Sequence, residues 1–281
     1  MSYRTVRRAG PGGGSAGGRL VMALILAMIA IGSYMCSAQE NPVTGESQRV
    51  NISPNQEIAL GLQAAPELIQ QFGGADSNLQ AQQLVDEVGL KLLQSSPELI
   101  NSPWEWEFTL LADDQTINAF ALPGGQIFIT RALLRLLEHE DELAGVLGHE
   151  IGHVVDRHGA QQMAKQQLTQ GLSGAAVMAA YDPNNPASAQ SAAVVQLIGQ
   201  MVNMKYGRDD ELESDDYGVK YMLNAGYNPC YLMTVMQKLG QASEGNRPPE
   251  FFSSHPNPEN RIQKIGESIQ RYAPGMSCNA R

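Results

Sequence analysis

The chain has 281 residues, of which 43% are apolar and 17% are charged, so it is long and apolar enough to bury a sizeable core. Its 19 basic and 29 acidic residues give a formal net charge of -10. Because this acidic chain has no basic stripe, its composition disfavours nucleic acid as a partner.

The N-terminal segment has the layout of an export signal. Arginines precede an uncharged apolar run at residues 20–31, and small and polar residues follow it. We expect residues 1–38 to be a signal peptide cleaved after Ala38 or an N-terminal membrane anchor, and Cys36 adds a lipidated cysteine as a third alternative. Each alternative places the rest of the chain outside the cytoplasm.

Cysteine usage agrees with export. Besides Cys36 the chain has only Cys230 and Cys278, which could form one disulfide in an oxidising compartment. The alternative is two buried thiols that do not form a disulfide. The CxxC spacing is absent from the sequence, which disfavours zinc or redox chemistry based on cysteine.

The first elements are predicted from turn and cap residues. Residues 39–53 are polar and rich in turn formers, and we interpret them as a linker. Ser53 and Pro54 then predict the cap and first residue of a helix that stops at Gly73. A second helical pattern runs from Leu79 to Leu93.

From Trp104 onward the pattern changes. Apolar and acidic residues alternate up to residue 111, and two further β-rich runs up to Thr130 flank Gly124 and Gly125, so we expect a small sheet. After Thr130 the pattern is helical. The sequence therefore predicts an α+β fold, mostly helical, with one domain over residues 54–281.

An HExxH motif lies in the helical run after the sheet, at His149, Glu150 and His153. Positions four apart on a helix share a face, so both imidazoles can reach one metal ion, and Glu150 can reach a water on that metal. A catalytic zinc takes three protein ligands and keeps the fourth position for water. The motif thus predicts a metal site for which it supplies two of the three protein ligands.

The third ligand must come from elsewhere. His158 is nine residues past His149, about 900 degrees of helical rotation, so we expect it to point to the opposite face and interpret it as a structural residue or a helix-end charge. His139 lies in a charged stretch and reads as a surface residue. His255 and a carboxylate remain as candidates for the third ligand.

An acidic helix start supplies carboxylate candidates. Glu211 and Asp215 are four apart and share a face, so one could bind the metal while the other accepts the N–H of a metal-bound imidazole. Glu213 is an alternative for the third ligand. The alternative for this segment is an acidic helix start whose side chains are solvated and have no role in a site.

Together these residues resemble a known family. The HExxH motif, the spaced Arg208, Glu211, Ser214, Asp215 and Gly218, and then Ser254, His255, Pro256 and Arg261 are similar to metallopeptidase family 48, the gluzincins, and most to its soluble exported bacterial members. The resemblance covers about residues 41–270. It implies a zincin-like single catalytic domain with a small sheet beside the HExxH helix.

The resemblance also implies roles. It makes His149, His153 and Glu211 the ligands of one Zn²⁺, with Asp215 as support. Glu150 becomes the general base that takes a proton from the zinc-activated water. His255 resembles a family histidine near the metal, which could donate to the oxyanion or occupy the metal in a latent state.

The segment Asn118, Ala119, Phe120 and Ala121 resembles the family pattern before the active helix. Such a strand can pair with an extended substrate peptide. The resemblance implies an endopeptidase of the bacterial envelope, periplasmic and attached to the membrane at its N-terminus if that segment is retained. It implies unfolded or damaged proteins as substrates. The alternative is a chaperone-like envelope assembly factor with a latent zinc site.

Overall fold

The computed structural model describes residues 16–180, 206–243, 249–256 and 260–278. These residues form mostly helices with two small sheets, which confirms the predicted α+β class. The arginines at positions 4, 7 and 8, which open the predicted export signal, lie outside the described residues.

The helices and strands follow one another along the chain, numbered here within each type. The helices are α1 Ala16–Met35, α2 Pro54–Gln71, α3 Leu79–Gln94, α4 Pro97–Ile100, α5 Arg131–Leu136, α6 Glu140–Val155, α7 His158–Ala180, α8 Arg208–Asn224, α9 Cys230–Ser243, α10 Phe251–Ser254 and α11 Arg261–Tyr272. The strands are β1 Ala38–Glu40, β2 Ser47–Arg49, β3 Glu107–Leu111, β4 Ala119–Ala121 and β5 Gln126–Thr130.

The predicted helix after Ser53 is confirmed at its start. The Ser53 side chain accepts a hydrogen bond from the backbone N–H of Gln56, and the Gln56 side chain accepts from the N–H of Ser53. Pro54 occupies the first helical position, where its missing N–H costs nothing. The helix predicted from Leu79 is also present, as α3.

The small sheet contains three strands in the order β3-β5-β4. Strand β5 is fully buried, parallel to β3 and antiparallel to β4. The β4–β5 turn needs Gly124, whose φ is +93° and whose added Cβ would lie 2.4 Å from the Cα of Ile58. Within the described residues, β4 pairs on one side only and leaves its other edge open.

Helix α6 carries the HExxH motif and lies at the centre of the fold. Its residues from Glu142 to Val155 are all buried, because it packs between the sheet on one side and α8, α9 and α3 on the others. A helix buried all round is held rigidly. The fold therefore fixes the motif in position.

Helix α6 ends at Val155, earlier than a continuous helical run would. Arg157 has a φ of +54°, a left-handed conformation that stops the helix. Its buried guanidinium donates to the carboxylate of Glu57 and to the carbonyl oxygen of Ile52, both close to the start of α2. These contacts fix the point at which α7 begins.

The segment 39–53 differs from the predicted linker. Strands β1 and β2 form a hairpin there, and its side chains bind the end of α6. The Asn41 amide donates to the carbonyl oxygen of Val155 at 2.8 Å, and the Gln48 amide donates to that of Asp156 at 2.9 Å. Helix ends carry carbonyls without helical partners, so these polar side chains dock the segment onto the domain.

The structure describes two features near the ends of the chain, a disulfide and the N-terminal helix. Cys230 and Cys278 are joined by a disulfide that ties the last described residues to α9. Helix α1 packs along α7 and exposes many apolar side chains, and Cys36 just after it is exposed and unpaired. No helix among the described residues combines the length and hydropathy of a membrane span.

Candidate metal centre

The two histidines of the HExxH motif converge on one point. His149 and His153 lie one turn apart on α6, and their Nε2 atoms are 3.0 Å apart. Both side chains are almost fully buried. The structure therefore brings together the pair predicted from the motif.

Helix α8 adds a carboxylate to this pair. The Oε1 atom of Glu211 is 3.5 Å from Nε2 of His153, and its Oε2 is 3.6 Å from Nε2 of His149. Helices α6 and α8 approach closely because Gly148 faces Gly218, so that a Cβ on Gly148 would be 3.3 Å from the Cα of Gly218. Two facing glycines thus bring Glu211 within reach.

His255 completes the cluster from the loop after α10. Its Nδ1 atom is 3.0 Å from Oε1 of Glu211 and 3.3 Å from Nε2 of His149. The ring stacks on Phe251 and is completely buried. His149, His153, Glu211 and His255 therefore direct four potential ligand atoms at one another.

The spacing of these atoms suits a tetrahedral metal ion. Zinc–ligand bonds of about 2.0–2.2 Å place neighbouring ligand atoms about 3.3–3.6 Å apart. The distances given above between the Nε2, Oε and Nδ1 atoms of the four residues span this range and fall slightly below it. Nitrogen and carboxylate oxygen are also the donors that zinc prefers without cysteine.

Glu150 lies beside the cluster without a hydrogen-bond partner among the described residues. Its Oε1 atom is 3.6 Å from Nε2 of His255, and the side chain is fully buried. Burial raises the pKa of the Glu150 carboxyl. A carboxylate with a raised pKa and no protein donor can take up a proton from a water molecule and return it.

Asp215 and Arg261 support the cluster from behind. Nδ1 of His149 lies 2.9 Å from Oδ1 of Asp215, and the Arg261 Nε donates to the other Asp215 oxygen at 2.6 Å. Arg261 also places Nη1 2.9 Å from Oε2 of Glu211. Burial raises the pKa of Asp215, but Arg261 and His149 outweigh it and hold that pKa below its usual value.

Arg261 was in the family pattern, but its position could not be inferred from spacing alone. It lies on α11, far along the chain from Glu211 and Asp215, and it is one of the largest fully buried side chains. Two buried carboxylates need a positive charge nearby, and only this need points to such a residue. That requirement does not identify which arginine fulfils it.

Tyr206 is a site residue that the sequence reasoning missed. Its ring stacks on that of His153, with ring centroids 3.9 Å apart. Its backbone N–H donates to the carbonyl oxygen of Ser254, next to His255. A single tyrosine before an acidic helix carries no sequence signal for this role.

His158 does not point away from the site. Because α6 stops at Val155, the rotation expected for a continuous helix does not apply, and Nδ1 of His158 lies 3.0 Å from Nδ1 of His153. Glu213, the alternative third ligand, lies at the far side of His158, with Oε2 3.2 Å from its Nε2. His139 is exposed at the start of α6, as predicted.

The predicted substrate segment runs along the edge of the sheet. Asn118 and Ala119 are buried, and Phe120 stacks on Phe128 with ring centroids 5.1 Å apart. Ala121 lines a small cavity together with His153 and Tyr206. The end of β4 is therefore adjacent to the metal ligands.

Comparison with known proteins places the chain in a family. Residues 79–269 match the model of peptidase family M48. The chain is 30% identical over 265 residues to the beta-barrel assembly-enhancing protease of Escherichia coli K12, an alignment that covers 90% of this chain and 53% of that protein.

Two further relatives are named as metalloproteases. Mitochondrial metalloendopeptidase OMA1 of Schizosaccharomyces pombe is 32% identical over 176 residues, which cover 59% of this chain and 47% of that protein. Metalloprotease LoiP of Escherichia coli K12 is 31% identical over 153 residues, 54% of this chain and 59% of LoiP. The chain spans about half the length of these curated relatives. It belongs to peptidase family M48, a family of metalloproteases, and His149 and His153 of its HExxH helix meet Glu211 and His255 in a cluster that could hold a metal ion.

Proposed function

We propose that this chain is a zinc-dependent endopeptidase of the bacterial cell envelope. The observation that carries the proposal is the convergence of His149, His153 and Glu211 beside the unpartnered carboxylate of Glu150. Two histidines and a glutamate form a ligand set typical of catalytic zinc. The proposed activity follows from this set and from the general base beside it.

The chain's own residues supply positioning and proton transfer. His149, His153 and Glu211 would hold the zinc, which when bound acts as a Lewis acid and lowers the pKa of water. Glu150 takes a proton from the attacking water and delivers it to the leaving amine. Burial keeps bulk water away from Glu150, which strengthens the electrostatic interactions inside the site.

His255 supports a latent state of this site. Its Nδ1 lies among the ligand atoms, so His255 could occupy the position on a bound zinc that a water molecule would need. Cleavage then requires His255 to move out of that position. The alternative role, in which the imidazole donates a hydrogen bond to the oxyanion of the substrate, predicts slower cleavage when His255 is removed.

The open edge of β4 supports an extended peptide as substrate. A strand with unpaired main-chain groups binds a peptide through backbone hydrogen bonds and therefore tolerates many sequences. Residues 118–121 would form this binding edge, and Ala121 is next to the metal ligands. Unfolded and damaged proteins offer such extended segments, whereas compact proteins do not.

The envelope location is supported by two features of the chain. The Cys230–Cys278 disulfide is typical of an oxidising compartment such as the periplasm. The segment 1–38 has the pattern of a cleaved signal, and its apolar run and Cys36 offer two routes of membrane attachment. The name of one relative, the beta-barrel assembly-enhancing protease of Escherichia coli, fits this placement.

A second candidate function is a chaperone-like envelope assembly factor whose zinc site stays latent. The position of His255 among the ligand atoms favours it, because a metal with four protein ligands has no open position. The two functions predict different outcomes when His255 is replaced. A latent protease gains activity, whereas an assembly factor does not.

The test is cleavage of unfolded casein by the zinc-loaded full chain, before and after zinc removal by 1,10-phenanthroline and after zinc is restored. We expect cleavage that disappears with the zinc and returns with it, and faster cleavage by His255→Ala. The exposed histidine variant His139→Ala is the control and should match the parent. Failure of both the parent and His255→Ala to cleave with zinc bound would favour the assembly factor.

A further inference from the structure

His153 has a neighbour on the side away from the ligand cluster. Its Nδ1 atom is 3.0 Å from Nδ1 of His158, and Nε2 of His158 is 3.2 Å from Oε2 of Glu213. Both histidines are buried, and the Oγ of Ser214 lies 3.3 Å from Nδ1 of His158. His153, His158 and Glu213 therefore form a line from the ligand cluster towards the surface.

The positions of the protons on these side chains follow from the histidine tautomers that metal binding allows. A histidine that binds a metal through Nε2 carries its proton on Nδ1. The Nδ1–H of His153 can then donate only to an unprotonated Nδ1 of His158. The proton of neutral His158 must therefore lie on Nε2, from which it donates to Glu213.

We propose that His158 and Glu213 are positioning residues that fix the tautomer and the ring orientation of His153 for metal binding. The inference rests on the proposed metal-dependent function. It gives both imidazoles of the motif an anionic partner: His149 bonds Asp215 directly, and His153 reaches Glu213 through His158. Partners of this kind orient a ligand and increase its basicity.

The same side chains could instead suggest a further metal ion. Asp156, His158 and Glu213 place ligand atoms within 4.8 Å of one another, and the two carboxylate oxygens of the buried Asp156 have no hydrogen-bond partner among the described residues. A metal on Nε2 of His158 would force its proton onto Nδ1. Two N–H groups would then face each other across 3.0 Å whenever His153 also held its metal.

This conflict favours a relay of hydrogen bonds over a second metal. A proton on Asp156 would remove one negative charge of this acidic pair without a cation. Burial and the neighbouring Glu213 raise the pKa of Asp156 to about 8, which agrees with a proton held at this point. The line of side chains thus ends on a carboxyl pair near the surface.

The test replaces His158 in the full chain and measures zinc affinity by competition with a chromophoric chelator. His158→Phe keeps the ring volume but cannot accept from His153, so we expect zinc to bind about 10–100-fold more weakly. His158→Gln can accept through Oε1 and donate to Glu213 through Nε2. This variant should bind zinc within about threefold of the parent, since both bonds are restored.

Two further readouts separate positioning from a general structural role. The visible absorption bands of the Co²⁺-loaded chain should change in His158→Phe and stay parent-like in His158→Gln, because they report ligand geometry. His139→Phe, a change at an exposed histidine, should leave affinity and spectrum unchanged. If His158→Phe does not fold, Glu213→Leu replaces it, because the Glu213 side chain is 43% exposed and its removal leaves the core intact.

The outcomes are distinguishable. Parent-like zinc affinity in His158→Phe, or in Glu213→Leu where that variant stands in, would overturn the relay and leave the proposed function in place. Two zinc ions in the parent and one in His158→Phe would also overturn the relay, in favour of a second metal site. A parent chain that binds no zinc would overturn the proposed function and the relay together.

Discussion

Gly152 on α6 lies directly against Ser214 on α8. A Cβ added to Gly152 would be 2.9 Å from the Cα of Ser214 and 3.0 Å from its carbonyl oxygen, which is closer than real Cβ contacts. Each residue adjoins a group of the site, because Gly152 precedes His153 and Ser214 precedes Asp215. The contact between these two backbones therefore sets how closely the ligands of the two helices converge.

Replacing Gly152 with alanine should push the two helices apart. We expect the free energy of unfolding to fall by about 1–3 kcal/mol through overpacking, and zinc affinity to fall because Glu211 moves away from the histidines. Urea unfolding and chelator competition measure the two effects. Gly240→Ala is the matched control: it lies in α9 with nothing within 4 Å of an added Cβ, so it should be neutral or slightly stabilising. Equal effects of the two changes would contradict the close-contact explanation.

Arg261 compensates two buried carboxylates. Arg261→Met keeps much of the side-chain volume but leaves Asp215 and Glu211 without their cation, which should cost about 3–5 kcal/mol in the zinc-free chain. Zinc should restore part of this loss by neutralising Glu211. Arg271→Met on the same helix removes an exposed ion pair with Asp216 and should cost no more than about 1 kcal/mol. Urea unfolding with and without zinc checks both variants, and a zinc-free Arg261→Met as stable as the parent would contradict the assigned role.

The acid limb of the pH profile should report Glu150. Burial raises the pKa of this carboxyl above its ordinary value of 4.5, and only the ionised form accepts a proton from water. The kcat/KM for peptide cleavage should therefore fall as the pH is lowered through this raised pKa. Bound zinc must be measured at each pH, because protonation of histidine ligands releases the metal. An acid limb that coincides with zinc loss would remove Glu150 as its cause.

The disulfide should stabilise the described C-terminal region. Cys230 and Cys278 close a loop with a sequence separation of 48, for which the chain-entropy model gives about 4 kcal/mol. Replacing both cysteines with serine should lower the free energy of unfolding by up to this amount, and dithiothreitol should have the same effect on the parent. Cys36→Ser, at an exposed unpaired cysteine, is the control and should change nothing. Insensitivity of the parent to dithiothreitol would contradict a stabilising role.

Local patterns were sufficient to predict which candidate ligands share a helix face. The four-residue spacing of His149 and His153, and of Glu211 and Asp215, places each pair on one helix face whatever the rest of the fold does. The family resemblance then gave Glu211 its proposed role as a ligand and Asp215 its role as support. The structure places both residues at the two histidines.

Long-range contacts explain what the sequence did not predict. The expected direction of His158 assumed a continuous helix, but Arg157 ends that helix through its contacts with the distant Glu57. The polar segment 39–53 resembled a linker because its partners are carbonyl oxygens at the end of α6, which leave no mark on a sequence pattern. Tyr206 was missed for the same reason, since its contact with His153 depends on how two distant segments meet.

The central claim is that Glu150 acts as the base of a zinc-dependent peptidase in this chain. The most direct measurement is casein cleavage by the zinc-loaded parent and by Glu150→Gln, with bound zinc quantified in both. We predict equal zinc content and a loss of at least about 100-fold in the cleavage rate of the variant. Cleavage by Glu150→Gln at the parent rate, with zinc retained, would contradict the account.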